Sequence, residues 1–342
     1  MSYLPPTPGY DSDTYGRIPT PFSVYDNDPY YGSVLEPSSG RTYQSFKPGR
    51  YPFPDDDTEQ ERLDIQHHVF RHVLGGKLYQ APINLETTRH VLDVGTGTGA
   101  WANDFAEENP QCQVLGIDLA RIQPSRVPNC TFSRVDAEEE WVYYPRKFDF
   151  VFMRDVNVCF DNPKGVLRQA FLNMNPGASI EYQNCSWEVC SDDGTTDGTH
   201  LARWVQLQVA GARAIGRDVL SCFHVEGWLR ELGFVDIHRV EVLIPIGGWP
   251  RDDRLSMIGA HMLENLRMGM DGISRRLLTA VGLQAVQIDE LLAQVRREIQ
   301  NPNIHAYVPF QVVYAQKPSH QEMTRWGVTE PVHARGGTGQ RF

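Results

Sequence analysis

The ten residues VLDVGTGTGA, numbers 91–100, carry the strongest structural signal in this chain. Residues 90–95 predict a strand, three glycines follow at alternate positions, and AWANDFAEEN (100–109) predicts a helix directly afterwards. Glycines let a backbone turn tightly and approach a bound molecule, and the amino end of a helix favours negative charge. The stretch therefore predicts a nucleotide-like cofactor at the end of the first strand of an open sheet.

Short apolar runs alternate with helical stretches on both sides of this turn. Strands are predicted at 90–95, 113–118, 130–136, 148–155, 179–186, 235–246 and 307–316. Helices are predicted at 58–76, 100–109, 162–174, 199–215 and 224–232, and before the last strand at 254–270, 273–282 and 287–300. This alternation indicates an α/β fold with a mostly parallel sheet covered on both faces. The helices at about 250–305 form an insertion, which we expect to act as a lid or an interaction surface.

Three carboxylates stand at the ends of three consecutive predicted strands. Asp93 lies two residues before the first glycine, where it could receive the ammonium group of S-adenosylmethionine; a dinucleotide has no positive group there. Asp118 ends the second strand near the expected ribose, a feature shared with NAD sites, and Asp136 ends the third strand near the expected adenine. The glycine spacing also satisfies a dinucleotide pattern, so NAD is the alternative. The three carboxylates together favour S-adenosylmethionine.

The sequence resembles the class I methyltransferases, and within them the fungal LaeA-like (TAM-type) family. The resemblance covers about residues 51–317. It rests on YPFPDDDTEQERLDIQHHVF, VLDVGTGTGAWANDFA, GIDLARIQP, PNCTFSRVDAEEEW, FDFVFMRDV, NMNPGASIEYQ, SDDG and PIGGWP. It implies a Rossmann-like seven-stranded sheet whose last strand is antiparallel, with S-adenosyl-L-methionine as the methyl donor.

The resemblance also implies which residues line the cofactor. Carried onto this chain, they are Asp93, Gly95, Thr96, Gly97, Asp118, Leu119, Asp136, Ala137 and Arg154. The first helix often covers the cofactor in this class, which makes His67 and His68 candidates for the same wall. One departure from the family is Pro176-Gly177-Ala178, where Pro-Gly-Gly is usual, and this turn is expected to lie away from the methyl group.

The segment just ahead of the first helix is rich in aromatic residues and prolines. We expect Tyr51 to fold back over the cofactor, so that order in residues 43–54 depends on the ligand.

Methyl transfer from a sulfonium requires an aligned acceptor and exclusion of water, and an oxygen or nitrogen acceptor can also require a general base. The residues that the sequence places near the expected cleft are Asp155 and Asn157 after the fourth strand, Glu181 and Tyr182 on the fifth strand, Asp192 and Asp193 in the SDDG loop, and His200 and His224. Of these we take Glu181, Asp192 and His224 as the candidates for the base. Each also has a structural interpretation, as a supporting group, a turn residue or a helix-terminal residue. The sequence therefore singles out no general base, and it predicts no metal site because no cysteine or histidine pair has zinc spacing.

The overall charge excludes some functions. Lys and Arg number 32 against 43 Asp and Glu, a net charge of −11, which argues against direct binding of nucleic acid. No apolar run approaches the ~18 residues of a membrane span. The six cysteines form no C-x-x-C pair, and the N-terminus lacks the pattern of a secretory signal, so we expect a cytoplasmic or nuclear protein with reduced thiols.

The two ends of the chain differ in composition from the middle. Residues 1–54 hold ten of the 23 prolines and eight of the 14 tyrosines, which predicts a largely disordered N-terminal arm. A methyltransferase domain is expected at 55–318 and a disordered tail at 319–342.

Two functions fit this organisation. The first is an enzyme that methylates an oxygen or nitrogen of a small-molecule acceptor in secondary metabolism. The alternative is a LaeA-like nuclear regulator of secondary metabolism that acts through a protein partner held by the arm or the insertion. Methionine-rich stripes on the insertion helices could also support a homodimer, although packing within the chain explains them equally well.

Overall fold

The structure is a computed structural model that describes residues 32–37, 39–142 and 147–325. The strands in these ranges are β1 (Ser33–Glu36), β2 (Arg41–Gln44), β3 (His90–Val94), β4 (Gln113–Asp118), β5 (Cys130–Arg134), β6 (Phe148–Arg154), β7 (Met174–Cys185), β8 (Val235–Pro245) and β9 (Tyr307–Gln316). The helices are α1 (Asp57–Val73), α2 (Ala100–Glu108), α3 (Pro163–Asn173), α4 (His200–Ala214), α5 (Val225–Leu232), α6 (Asp253–Ala280), α7 (Ala285–Glu298) and α8 (His320–Arg325).

One seven-stranded sheet runs through the molecule in the order β5-β4-β3-β6-β7-β9-β8. The strands from β3 to β7 pair in parallel, and β9 is antiparallel to both β7 and β8. The predicted α/β class and the antiparallel last strand are therefore confirmed. The strand order reverses between β3 and β6, and in such sheets a crevice for ligands forms outside the carboxyl ends at that point.

The central strands are apolar along nearly their whole length because helices cover both faces of the sheet. In β6, for example, five of seven residues are fully buried. On one face Trp101 of α2 stacks on Phe152 of β6 with ring centroids 3.8 Å apart. Within the described residues, no helix is both long enough and apolar enough to cross a bilayer.

The insertion before the last strand consists of α6 and α7 in the structure. The sequence predicts separate helices at 254–270 and 273–282, but α6 runs unbroken over 28 residues. Gly272 does not end the helix; it makes room for the chain beside it, because a Cβ there would lie 3.0 Å from Arg41 and 3.2 Å from Pro54. Helix propensity alone therefore predicts a helix break near Gly272 that is absent from the structure, because this glycine is required for close packing inside one continuous helix.

A hairpin of β1 and β2 precedes α1 and belongs to the segment predicted as a largely disordered arm. Asp55 accepts hydrogen bonds from the hydroxyls of Ser33 (2.5 Å) and Thr42 (2.9 Å). Arg41 forms a two-pronged ion pair with Asp56, with bonds of 2.5 and 2.7 Å. Residues 1–31 and 326–342 lie outside the described residues, so disorder there stays a prediction.

Two helical glycines provide a matched test of the packing between α4 and α6. A Cβ on Gly211 of α4 would overlap the backbone carbonyl of Leu277, whereas a Cβ on Gly227 of α5 would meet nothing within 4 Å. We expect Gly211→Ala to lower the free energy of unfolding by about 1–3 kcal/mol through overpacking. Gly227→Ala should raise it by about 0.5–1 kcal/mol because alanine favours the helix. Urea unfolding of both variants measures this, and a neutral Gly211→Ala would contradict the helix contact.

Candidate functional site

A cavity of about 240 Å³ lies at the carboxyl ends of β3, β4 and β6. Helices α1, α4 and α6 and the segment between β2 and α1 complete its wall. The residues that the resemblance places at the cofactor all line this cavity, as does Tyr51: Tyr51, Asp93, Gly95, Thr96, Gly97, Asp118, Leu119, Asp136, Ala137 and Arg154. His67 and His68, the further candidates for this wall, are not among its lining residues; His67 is buried behind it and His68 is exposed. The fold thus brings together side chains that are far apart in sequence.

The glycine turn connects β3 to α2 and forms the floor of the cavity. Gly95 and Gly99 have φ angles of 71° and 75°, which side-chain-bearing residues rarely adopt. A Cβ on Gly95 would also lie 2.7 Å from Val156, and one on Gly99 would lie 2.6 Å from the ring of Phe132. Both positions therefore require glycine, and the turn presents bare backbone to whatever fills the cavity.

Asp93 and Asp118 are carboxylates held in buried surroundings beside this turn. Asp93 is 2% exposed and accepts a hydrogen bond of 2.6 Å from the hydroxyl of Thr96. Burial raises the pKa of Asp93 to about 7, although the Thr96 bond and the charge of Arg154 oppose the shift. Asp118 accepts from the backbone N–H groups of Gly97 and Ala120, each at 2.9 Å, and burial raises its pKa to about 6.

Asp136 is contacted by cations from the segment between β2 and α1, a feature that the sequence analysis missed. The Arg50 Nε lies 3.4 Å from Asp136 Oδ2, and the Lys47 ammonium lies 4.0 Å from the same oxygen. Arg50 also donates to Glu138 at 2.7 Å and pairs with Asp161. No spacing rule links residues almost 90 positions apart, so this contact could not be read from one sequence.

Tyr51 follows Arg50 and belongs to an aromatic group over the cavity. The Tyr51 ring meets Phe53 edge-on at 5.4 Å, and Phe53 stacks on Trp187 at 6.0 Å. Phe53 is 5% exposed, so this segment is packed as part of the wall. The placement agrees with the expected position of Tyr51; dependence of its order on a ligand stays a prediction.

A second part of the cavity is apolar and lies between α1, α4 and α6. Its wall includes Phe53, Trp187, Trp204, Met262, Leu266 and Ile273. Glu59 and Arg62 form a buried ion pair at 2.8 Å on the α1 side. The sequence analysis did not identify this chamber because its residues come from four separate elements.

Four residues of the chamber wall carry buried oxygen atoms without a hydrogen-bond partner in the described part of the chain. They are Glu59 Oε2, Asn157 Oδ1, Ser186 Oγ and Gln208 Oε1. The amide of Asn157 donates to the carbonyl of Cys185 at 2.9 Å, and the amide of Gln208 donates to the carbonyl of Ile273 at 3.0 Å. Because only the NH₂ end can donate, the amide oxygens take the unpartnered positions.

The three base candidates, Glu181, Asp192 and His224, are not among the lining residues of the cavity. Glu181 is fully buried in β7, where its carboxylate accepts from the backbone N–H groups of Gln80 (2.7 Å) and Ala81 (2.5 Å). Asp192 lies in an exposed loop. His224 precedes α5 at the surface with its ring 5.6 Å from Trp228. The structural interpretation of all three is therefore the better one.

Asp155, which the sequence analysis expects near the cleft after the fourth predicted strand, does line the cavity. It follows β6 with a φ of 56°, a conformation that costs a non-glycine residue of order 1 kcal/mol. Its two oxygens accept from the backbone N–H of Cys185 (3.1 Å) and the amide of Gln66 (2.6 Å). Burial raises the pKa of Asp155, which leaves a carboxylate of increased basicity at the cavity wall.

The sheet order, the glycine turn and the carboxylates define a class I methyltransferase fold and site. The profile of the methyltransferase domain family matches residues 65–239. "Methyltransferase pytC" of Aspergillus terreus is 34% identical over 284 residues, which cover 82% of this chain and 87% of that protein. "Secondary metabolism regulator LAE1" of Cochliobolus heterostrophus is 30% identical over 82% of this chain and 94% of that protein.

A solved structure of phosphoethanolamine N-methyltransferase 2 from Haemonchus contortus, in complex with S-adenosyl-L-methionine, is 16% identical to this chain. It aligns over 81% of this chain and 62% of its own, with a TM-score of 0.49. On the family match and the relatives, this chain belongs to the LaeA-like class I methyltransferase family. It is an S-adenosylmethionine-dependent methyltransferase, and its cofactor is S-adenosyl-L-methionine.

The raised carboxyl pKa values predict how the stability of the unliganded protein depends on pH. Asp93 and Glu181 both have a pKa of about 7, above the unfolded value, so ionisation favours the unfolded chain. The free energy of unfolding should therefore fall as pH rises from about 5 to 7, between the unfolded-state and folded-state pKa values of these groups, and should level off above about pH 8. Urea unfolding across this range measures the slope, and Asp93→Asn should reduce it. Stability that rises over the range would contradict the assignment.

Proposed function

We propose that this methyltransferase transfers the methyl group to an oxygen or nitrogen of an apolar small molecule of secondary metabolism. The observation that carries the proposal is the continuity of the cavity. One space joins the carboxylates at the sheet edge to the chamber lined by Trp187, Trp204 and Met262. A chamber with aromatic walls suits a planar apolar acceptor.

The residues at the sheet edge fit S-adenosylmethionine in three places. The Asp93 carboxylate, buried and with one hydrogen-bond donor from a side chain, would receive the ammonium group. Asp118 would bind the ribose hydroxyls, and Asp136 with Ala137 would hold the adenine. The bare backbone at Gly95 and Gly97 allows the close approach that such a ligand needs. When bound, this cofactor supplies a methyl group already activated by its sulfonium.

The protein's own contribution is alignment and exclusion of water. Tyr51 and Phe53 cover the cavity from one side, and the insertion helix α6 covers it from another. Holding an acceptor in such a site can supply several kcal/mol of the barrier reduction, about 7–11 kcal/mol at best. Asp155 would accept the proton that an O–H or N–H acceptor releases, because its carboxylate lies on the wall and its pKa is raised by burial.

The chamber also restricts the chemistry of the acceptor. Unpartnered oxygens on Glu59, Asn157, Ser186 and Gln208 would each gain a hydrogen bond from an N–H or O–H group. A donor-bearing acceptor would therefore bind better than one of equal shape that only accepts, because a buried acceptor left unpaired costs about 1–3 kcal/mol.

The second candidate function is regulation of secondary metabolism through a protein partner in the nucleus. The relationship to LAE1, named as a secondary metabolism regulator, favours it. A protein partner would contact the N-terminal arm or the insertion. A second copy of this chain could be that partner, in a homodimer formed through the insertion. The apolar chamber that adjoins the sheet-edge carboxylates favours the small-molecule enzyme, and the gene-replacement experiment below separates the two functions.

Cofactor binding gives the first test of the site. We expect Asp93→Asn and Asp118→Asn each to weaken binding of S-adenosylmethionine at least tenfold, equivalent to about 1.4 kcal/mol or more. Asp192→Asn, in an exposed loop outside the cavity, should bind as the unaltered chain does. Isothermal titration calorimetry of the four proteins measures this. Equal affinities in all four would place the cofactor elsewhere.

Replacement of the chromosomal gene by an Asp155→Asn allele tests the reaction itself. Asparagine keeps the shape and tolerates a positive φ, so the fold should persist while proton transfer fails. We expect one metabolite to disappear and its precursor, lighter by one methylene unit, to accumulate, with biosynthetic transcripts unchanged. Mass spectrometry and transcript sequencing of the same cultures report both. Loss of transcripts from several biosynthetic pathways would instead support the regulator.

A further inference from the structure

Arg154 is a half-buried cation for which the described part of the chain supplies no carboxylate at ion-pair distance. It ends β6, lines the cavity, and lies over the rings of Phe70 and Phe152 at 5.3 and 5.9 Å. Among the described residues, no carboxylate comes within 4.0 Å of its guanidinium, and the side-chain atom that it bonds is His67 Nδ1, at 2.9 Å. Asp93, Asp155 and Asp104 act on this guanidinium only from beyond ion-pair distance, so it keeps room for a direct anionic partner from a ligand.

The protonation of His67 follows from its two neighbours. Arginine can only donate hydrogen bonds, so His67 Nδ1 must be the acceptor in the contact with Arg154. The ring proton is therefore on Nε2, which donates to Asp104 Oδ2 at 2.9 Å. Burial of the ring lowers the pKa of His67 to about 4, which keeps it neutral and able to accept at physiological pH.

Asp104 is itself held in place from the opposite side. Arg71 donates to the same Asp104 oxygen at 2.8 Å and reaches Glu108 with its other nitrogen, also at 2.8 Å. A continuous chain of hydrogen bonds thus runs from the surface of α1 and α2 through His67 to the guanidinium. These hydrogen bonds fix the side of the Arg154 guanidinium that faces α1. The other N–H groups of Arg154 stay available to the cavity.

Opposite charges stand apart at neighbouring strand ends. Asp93 of β3 pairs in register with Phe152 of β6, and Arg154 follows two residues later. Asp93 and Arg154 influence each other's pKa, yet they form no ion pair within 4.0 Å. A site with one carboxylate and one guanidinium held apart is complementary to a zwitterion that carries an ammonium and a carboxylate group.

We propose that His67 and Asp104 are positioning residues, which hold the Arg154 guanidinium in the cavity so that it binds the methionine carboxylate of the cofactor. The inference rests on the proposed placement of S-adenosylmethionine, with the ammonium group at Asp93. Without His67 the guanidinium would be drawn toward Asp93 or Asp155, and the two halves of the zwitterion site would neutralise each other.

Two ligands separate this role from a general effect on the fold. S-adenosylhomocysteine carries the amino-acid carboxylate, and 5′-methylthioadenosine lacks the whole amino-acid part. We expect His67→Leu to weaken the binding of S-adenosylhomocysteine at least tenfold, while its affinity for 5′-methylthioadenosine stays within about twofold of that of the unaltered chain. His68→Leu, at the exposed neighbouring position, should change neither affinity. Calorimetry measures binding, and thermal unfolding of each variant confirms that it is folded.

Two amide substitutions provide a matched rescue. The side-chain oxygen of His67→Asn can stand near the position of Nδ1 and accept from Arg154, so this variant should recover most of the affinity for S-adenosylhomocysteine. The longer side chain of His67→Gln places its amide near the position of Nε2, toward Asp104. This variant should not recover the affinity for S-adenosylhomocysteine. In an Arg154→Met background, His67→Leu should cause no further loss, because the group that it positions is gone.

Each outcome of these titrations bears on the proposal. Equal losses for both ligands in His67→Leu would make His67 a structural residue and overturn the inference, while leaving the cofactor site intact. Rescue by glutamine rather than asparagine would also overturn it. If the unaltered chain bound neither ligand, that result would contradict the proposed cofactor placement, and the inference that rests on it would be overturned as well.

Discussion

Burial of the Asp93 and Asp118 carboxylates at the carboxyl edge of the sheet is the constraint that the rest of the site depends on. The sheet order places both beside the glycine turn, and the turn supplies only a few donors to them. Removing a carboxylate from water is unfavourable unless it is paired, and burial accordingly raises both pKa values. In the proposed binding mode, the ammonium group and the ribose hydroxyls of the cofactor would supply the missing partners, and binding would relieve this cost.

The cover of the cavity is assembled from distant parts of the chain. The segment between β2 and α1 is tied down by Arg50, whose guanidinium pairs with Asp161 and whose backbone carbonyl accepts from Arg217 at 2.5 Å. Arg276 of α6 lies over the ring of Tyr43 in β2, just before this segment, 3.3 Å from the ring centroid. The arm and the insertion therefore contact each other as well as the sheet. A change in either is expected to alter the shape of the acceptor chamber.

Local signals in the sequence were sufficient for the cofactor edge and insufficient for the acceptor chamber. Asp93, Asp118 and Asp136 could be placed because each follows a strand with a clear pattern, and parallel strands end at one edge. Glu181 looked like a catalytic carboxylate, yet it binds two backbone N–H groups of a loop a hundred positions earlier. Contacts of that kind, like those of Arg50, arise from tertiary packing and have no sequence period. Asp155 was one of several polar residues expected near the cleft, and nothing in the sequence ranked it above the others, since its importance lies in a backbone angle and a position on the cavity wall.

A crystal structure of the full chain with S-adenosylhomocysteine tests the central claim most directly. The account predicts the amino-acid end of the ligand between Asp93 and Arg154, the ribose at Asp118, and the adenine beside Asp136 and Ala137. The sulfur should then face the chamber lined by Trp187 and Trp204. A ligand bound in the opposite direction, or outside the cavity at the carboxyl ends of β3, β4 and β6, would contradict it.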